Sequence, residues 1–256
     1  MKLKSKLILF MLLILPITVS AETEDGTIVA EKEKYYKTVT ILSNSDVMMR
    51  ANLGEVSSIT TEVTKEEYDN FDPNENSNIS TKGYVDSTIE TNYKKLTTTI
   101  RNNGTYYYRY KAVLTWKNFP ATRSYDIIGI GHYGSVKIAD DVGFNQDYCM
   151  SNGNCYNGSR YYSKTGANGS GAVFYLPSGT LTSLKQTVQF DVEKTNESST
   201  IIEQIAVGDY SHATSSISYA NAKKFSVDTS GIYLESSILS YYDEINPATA
   251  EWTGTW

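Results

Sequence analysis

His132 and His212 are the only imidazoles in the chain, so a Ser or Cys nucleophile would have to draw its base from one of them. Neither lies in a nucleophile motif. "GIGHYGS" around His132 is not the G-x-S-x-G elbow of hydrolases. "GDYSHATSS" sets Asp209, Ser211 and His212 side by side, but neighbours on a strand point to opposite faces, so adjacency does not make a triad. No catalytic residue is assigned, no motif names a cofactor, and none is expected. Oxygen ligands are better represented than imidazoles. "DPNENSN" spaces Asp72, Asn74 and Asn76 like a calcium loop but has Ser77 at the glycine position and Gly83 at the bidentate glutamate position, so it fails that template. "ADDVGFNQDYC" gathers Asp140, Asp141, Asn145 and Asp147, a weak candidate for an irregular calcium site against the simpler reading of a solvated loop.

Paired carboxylates on one strand face would suit glycan hydrolysis. "QFDVE" places Gln189, Asp191 and Glu193 on one face at a spacing of about 6.8 Å between alternate residues. This resembles the E-x-D-x-E strand of laminarinase-like glycosidases, except that Gln189 stands where the first acid belongs. Retaining chemistry needs a carboxylate nucleophile there, and an amide cannot form the glycosyl ester. Asp191 and Glu193 are therefore read as a solvated strand face.

The two cysteines, Cys149 and Cys155 in "CMSNGNC", read as a disulfide if the chain is exported. Closing a ring this small removes little entropy from the unfolded chain, so the bond is worth only about 2 kcal/mol. "TYYYRYKAVLTW", residues 105–116, carries four of the chain's 21 tyrosines. Strict alternation puts Tyr106, Tyr108, Tyr110, Ala112, Leu114 and Trp116 on a core face and leaves Tyr107 and Arg109 outside as candidate ligand contacts.

The elements that must position these residues are strands, because the periodicity is two almost throughout. "QTVQFDVEK" alternates Val188, Phe190 and Val192 against Gln189, Asp191 and Glu193. "YVDSTIETNYKKLTTTI" alternates with a change of phase near Lys94 and Lys95, which predicts a bulge. With "RNNG" as its turn, residues 84–116 form a long hairpin. Further strands are expected at 124–138, 171–176, 201–210 and 223–227, the first approached closely by a neighbour at Gly129 and Gly131. Helical pattern is confined to "TKEEYDNF", with Thr64 as N-cap, and to a short stripe of Ile238, Tyr242 and Ile245. The fold class is all-β, a two-sheet antiparallel β-sandwich with a small N-terminal segment containing at most one short helix. The expected divisions are a signal peptide over 1–21, an N-terminal segment and polar linker over 22–81, and the sandwich over 82–256.

"MKLKSK" followed by "LILFMLLILPITV" and Val19-Ser20-Ala21 has the basic, apolar and small-residue order of a secretory signal, with cleavage after Ala21. The apolar run is too short to span a bilayer, and no transmembrane segment is expected after cleavage. Cleavage removes Lys2, Lys4 and Lys6 and leaves a balance more acidic than the -6 of the whole chain, which argues against a nucleic-acid partner. "TRSYDIIGIGHYGSVK" and "SYANAKKFSVDTSGI" resemble stretches of uncharacterised secreted proteins of low-GC Gram-positive bacteria. That resemblance implies export and carries no activity. The reading is a secreted, extracellular, non-catalytic β-sandwich that binds a cell-surface or carbohydrate partner. A glycan-directed hydrolase is one alternative. A β-pore-forming toxin is another, suggested by Ser/Thr-rich alternating runs at 85–100 and 211–220.

Overall fold

The computed structural model describes residues 26–43, 57–72, 87–243 and 245–256. The signal segment and most of the polar run 69–81 lie outside them. Two antiparallel sheets face one another across the main core. The larger is built from β1 (Thr27–Ser43), β2 (Ser57–Val63), β3 (Ser87–Asn102), β4 (Tyr108–Trp116), β6 (Val136–Met150), β7 (Cys155–Gly158) and β10 (Leu181–Lys194) in the order β2-β1-β3-β4-β10-β6-β7. The smaller is built from β5 (Tyr125–Tyr133), β8 (Tyr162–Gly166), β9 (Gly169–Tyr175), β11 (Glu203–Ser211) and β14 (Ala248–Thr253) in the order β14-β11-β5-β9-β8. The chain is an all-β sandwich.

Alternation decides which side chains enter. β4 is the clearest case, with Tyr108, Tyr110, Ala112, Leu114 and Trp116 all buried and the residues between them half-exposed. They meet Val188, Phe190 and Val192 of β10 and Ile128, Ile130, Ala172, Phe174 and Ala206 of the opposing sheet. Gly208 sets how closely the sheets approach there, since a Cβ at this position would lie 2.0 Å from Thr98 Oγ1. A hairpin of β12 (Phe225–Asp228) and β13 (Gly231–Leu234) covers the outer face of the smaller sheet, enclosing a second core around Ile127, Val173, Phe225 and Val227. Gly131 makes that cover possible, because its Cβ would lie 1.8 Å from the carbonyl of Asp228. This is the close neighbour that the glycines of β5 imply.

The structure differs from the sequence reading at four places. The N-terminal segment does not precede the sandwich but enters it, with β1 running antiparallel along β3 from Thr27↔Asn102 to Ser43↔Ser87 and β2 forming the edge. Its charges hide the strand pattern because they are satisfied across strands, Lys95 pairing with Glu33 at 2.7 Å and Lys34 with Glu62 at 2.8 Å. The phase change at Lys94 and Lys95 is no bulge, since pairing with β1 runs unbroken through Tyr36↔Lys94 and Tyr35↔Lys95. Lys94 is on the core face with Leu96, Thr98 and Ile100, and Tyr93 on the opposite face is buried under a helix. The run 124–138 is two strands in different sheets, divided at Gly134 with φ 120°. The run 211–220 leaves the sheet after Ser211 and ends in α2 (Tyr219–Ala222), so it is not one long strand.

The burying helix is α1 (Lys65–Asn70), capped as expected by Thr64, whose hydroxyl accepts the Glu67 N–H at 3.1 Å. Next to it, Phe71 stacks on Tyr93 at 4.2 Å and Tyr68 packs against Tyr35 at 5.0 Å. Lys117 holds the helix end, its ammonium donating to the carbonyl of Asp69 at 2.9 Å.

Candidate functional site

Of the residues singled out from sequence, the structure brings Arg109 to Asp191 and Asn145 to Asp147 but gathers them into no common site. Tyr107 is in the five-residue loop 103–107 before β4 and is 43% exposed. Arg109 faces outward from β4 but is engaged, its guanidinium making a two-pronged bond to Asp191 across β10 at 2.7 and 3.0 Å. Tyr106 is 75% exposed and Tyr108 is buried between Trp252 and Trp256, so the two do not share an environment. Glu193 pairs with Lys137 at 2.9 Å. Asp191 and Glu193 thus belong to cross-strand ion pairs.

Asn145 and Asp147 are on one face of β6 and bond each other, Asn145 Nδ2 donating to Asp147 Oδ1 at 2.8 Å. Asn157 donates to the same oxygen at 3.0 Å, and Lys185 neutralises the carboxylate at 3.2 Å. The side chains of Asp140 and Asp141 lie outside the described ones. Among the described residues, no group of three or more His, Cys, Asp or Glu side chains has the arrangement of a metal site. The Cys149–Cys155 disulfide is formed and joins the paired ends of β6 and β7.

Two constellations were not legible in the sequence. The first is on the outer face of the smaller sheet, where the β12–β13 hairpin stops covering it. Tyr125 and Tyr175 pair across β5 and β9 with rings 5.0 Å apart, and Tyr161 and Tyr219 pack onto Tyr125 at 5.5 and 5.8 Å. Tyr161 and Tyr219 stay 56% and 39% exposed, held to each other by the Tyr219 hydroxyl donating to the Tyr161 carbonyl at 3.0 Å. Lys223 extends the patch, its ammonium 4.7 Å from the Tyr219 ring. Residues separated by up to 94 positions meet here, so no sequence window contains the patch.

The second constellation is internal. The Lys94 side chain is wholly buried and bonds the Asp243 carboxylate, itself 2% exposed. Asp243 also accepts the His212 backbone N–H at 2.7 Å and the Thr60 hydroxyl at 2.9 Å. Asp126 accepts His212 Nδ1 at 3.0 Å, the Ala213 N–H at 3.0 Å and the Tyr210 hydroxyl. Trp116 and Tyr210 wall the lysine, their ring centres 5.1 and 5.2 Å from its nitrogen. Burial would raise the Asp243 pKa, but the Lys94 ammonium and then His212 outweigh it and hold it below its ordinary value. Burial pushes the Tyr210 hydroxyl well up, and Asp126 adds to the shift. Asp209 belongs elsewhere, accepting the Ile232 N–H at 2.8 Å, so the adjacency of Asp209, Ser211 and His212 assembles no triad.

No protein-family profile matches the chain, and no curated protein matches it. Among solved structures, it is similar to the collagen-binding domain of a Staphylococcus aureus adhesin, with 14% identity and a TM-score of 0.28 over 57% of this chain and 86% of that one. It is also similar to the collagen-binding domain of the Erysipelothrix rhusiopathiae surface protein RspB, with 7% identity and a TM-score of 0.30 over 66% of this chain and 71% of that one.

Proposed function

We propose that the protein is an extracellular, non-catalytic binding module whose ligand face is the tyrosine patch, and that the ligand is a carbohydrate of a cell surface. The observation that carries this reading is the cluster of Tyr125, Tyr161, Tyr175 and Tyr219, four mutually packed rings with two of them open to solvent. A sugar presents an apolar C–H face and a rim of hydroxyls, and a phenol offers a matching ring and a hydroxyl at low conformational cost. The rings are held by one another and by the sheet, so little ordering is needed on binding. Export rests on the signal reading of residues 1–21. The engagement of Arg109 with Asp191 supports a ligand site away from Tyr107 and Arg109.

Retention on a panel of immobilised polysaccharides, followed by titration calorimetry with the retained sugar, tests the assignment. Tyr161→Ala and Tyr219→Ala should each weaken binding about tenfold, equivalent to about 1.4 kcal/mol, with melting unchanged. A double variant that binds the retained sugar as the parent does would move the ligand site elsewhere.

A further inference from the structure

Lys94 and Asp243 make up a buried pair of unusual composition. The amine belongs to β3 of the larger sheet and the carboxylate to the segment leading into β14 of the smaller one, 149 residues further on. Both side chains are shut off from solvent. Removing two opposite charges from water is costly, and the cost returns only when each group is fully satisfied. Asp243 has its further donors in His212 and Thr60. Lys94 points its remaining face at the rings of Trp116 and Tyr210, which stabilise a cation by their quadrupoles but offer no lone-pair acceptor of carbonyl strength. An amide between the two side chains would remove both charges and keep the His212 N–H occupied on Oδ1, while Thr60, whose hydroxyl donates to the Oδ2 that departs, retains its bond to the Thr38 hydroxyl at 2.8 Å.

We infer that Lys94 and Asp243 are joined in the mature protein by an intramolecular side-chain amide, formed by the chain itself once the sandwich has closed. The step needs no co-reactant. The Lys94 ammonium passes one proton to the Asp243 carboxylate along their hydrogen bond, leaving a neutral amine and a carboxylic acid. The amine lone pair adds to Cγ of Asp243, forming the C–N bond. A second nitrogen proton then moves to the acid hydroxyl, the C–O bond breaks, and one water leaves. Ammonium and carboxylate thus become amide and water, with no change of oxidation state. The His212 backbone N–H, already on Asp243 Oδ1, stabilises the negative charge that develops on that oxygen during addition. Asp126 joins the cluster through His212, whose ring bonds it while the His212 backbone N–H bonds Asp243, and through Tyr210, whose hydroxyl bonds it while the Tyr210 ring walls Lys94. It is the second carboxylate, assigned to take the nitrogen proton and return it to the departing hydroxyl. A surface depression lined by Ser58, Thr60, Ser240 and Tyr242 reaches Asp243 and gives the water an exit. The aromatic walls then keep water from the finished bond.

The consequence is mechanical. The bond would clamp the segment before the last strand to the middle of the opposite sheet, so a pull on the C-terminus that stripped β14 would stop at Asp243 and pass to β3 instead of unravelling the strands before it. The inference does not depend on which ligand the tyrosine patch takes.

Intact mass and peptide mapping of the folded, exported protein test it. The mass should be lower by one water than the sequence with its disulfide requires, and digestion should release a branched peptide containing Lys94 and Asp243. Lys94→Met and Asp243→Ala should carry the full mass and lose the branched peptide. Asp126→Asn should melt cooperatively yet accumulate the full-mass species; equal water loss in that variant would overturn the relay assigned to Asp126. Where a substitution prevents folding, the parent protein alone decides. A cooperatively melting parent with full mass, yielding Lys94 and Asp243 in separate peptides, overturns the bond.

Discussion

Trp116 shows how one residue can serve both the core and the buried charges. It is 5% exposed, sits edge-on to His212 at 5.2 Å and walls Lys94. Trp116→Ala should therefore cost about 3 to 5 kcal/mol in thermal melts, as loss of a large buried aromatic does. Tyr107→Ala, in an exposed loop, should change stability by less than about 0.5 kcal/mol; a larger loss from Tyr107 than from Trp116 would reverse the assigned facing of β4. His132 supplies a pH dependence. Burial against Tyr110 and Phe190 holds its imidazole below the ordinary 6.5. As pH falls through that value the unfolded chain takes up a proton that the folded chain refuses, so the native state loses stability until the folded group also titrates. Melts of the parent and His132→Phe between pH 7 and pH 5 should show the variant gaining on the parent as pH falls. A difference independent of pH would rule out this contribution.

At the scale of elements, the disulfide and β1 make opposite predictions. Cys149–Cys155 closes the tip of β6 and β7, an edge pair with exposed side chains on β7. Replacing both cysteines with serine should cost no more than about 2 kcal/mol, read from the denaturation midpoint. β1, which the sequence reading set apart from the sandwich in an N-terminal segment, covers the whole length of β3, burying Tyr36, Thr38 and Thr40 and sending the Tyr36 hydroxyl to the Asn246 carbonyl near β14. A chain starting at residue 82 should therefore lose cooperative unfolding, because β3 would become an unpaired edge and the core beside Leu96 would open. A sharp melt from that shortened chain would show that β1 is an accessory.

At the scale of the molecule, two sheets share one core and a hairpin adds a smaller core outside, and both unassigned constellations arise where these layers meet. The tyrosine patch lies where the outer cover ends. The Lys94–Asp243 pair lies where the two sheets come together. What the sequence determined by itself was the local part. Period-two alternation named the inward residues of β4 and β10, Thr64 announced its helix, and the short Cys149–Cys155 spacing announced the disulfide, because each depends on neighbours within a few residues. Alternation also misled at Lys94, since a lysine in a strand reads as solvent-facing until a carboxylate from another sheet appears beside it. Only the tertiary structure decided that Lys94, Asp126, His212 and Asp243 meet, and that tyrosines from β5, β9, α2 and the residue before β8 form one surface. Sheet stacking joins residues by distance in space, and a pattern that repeats every second residue holds no record of which strand will lie opposite.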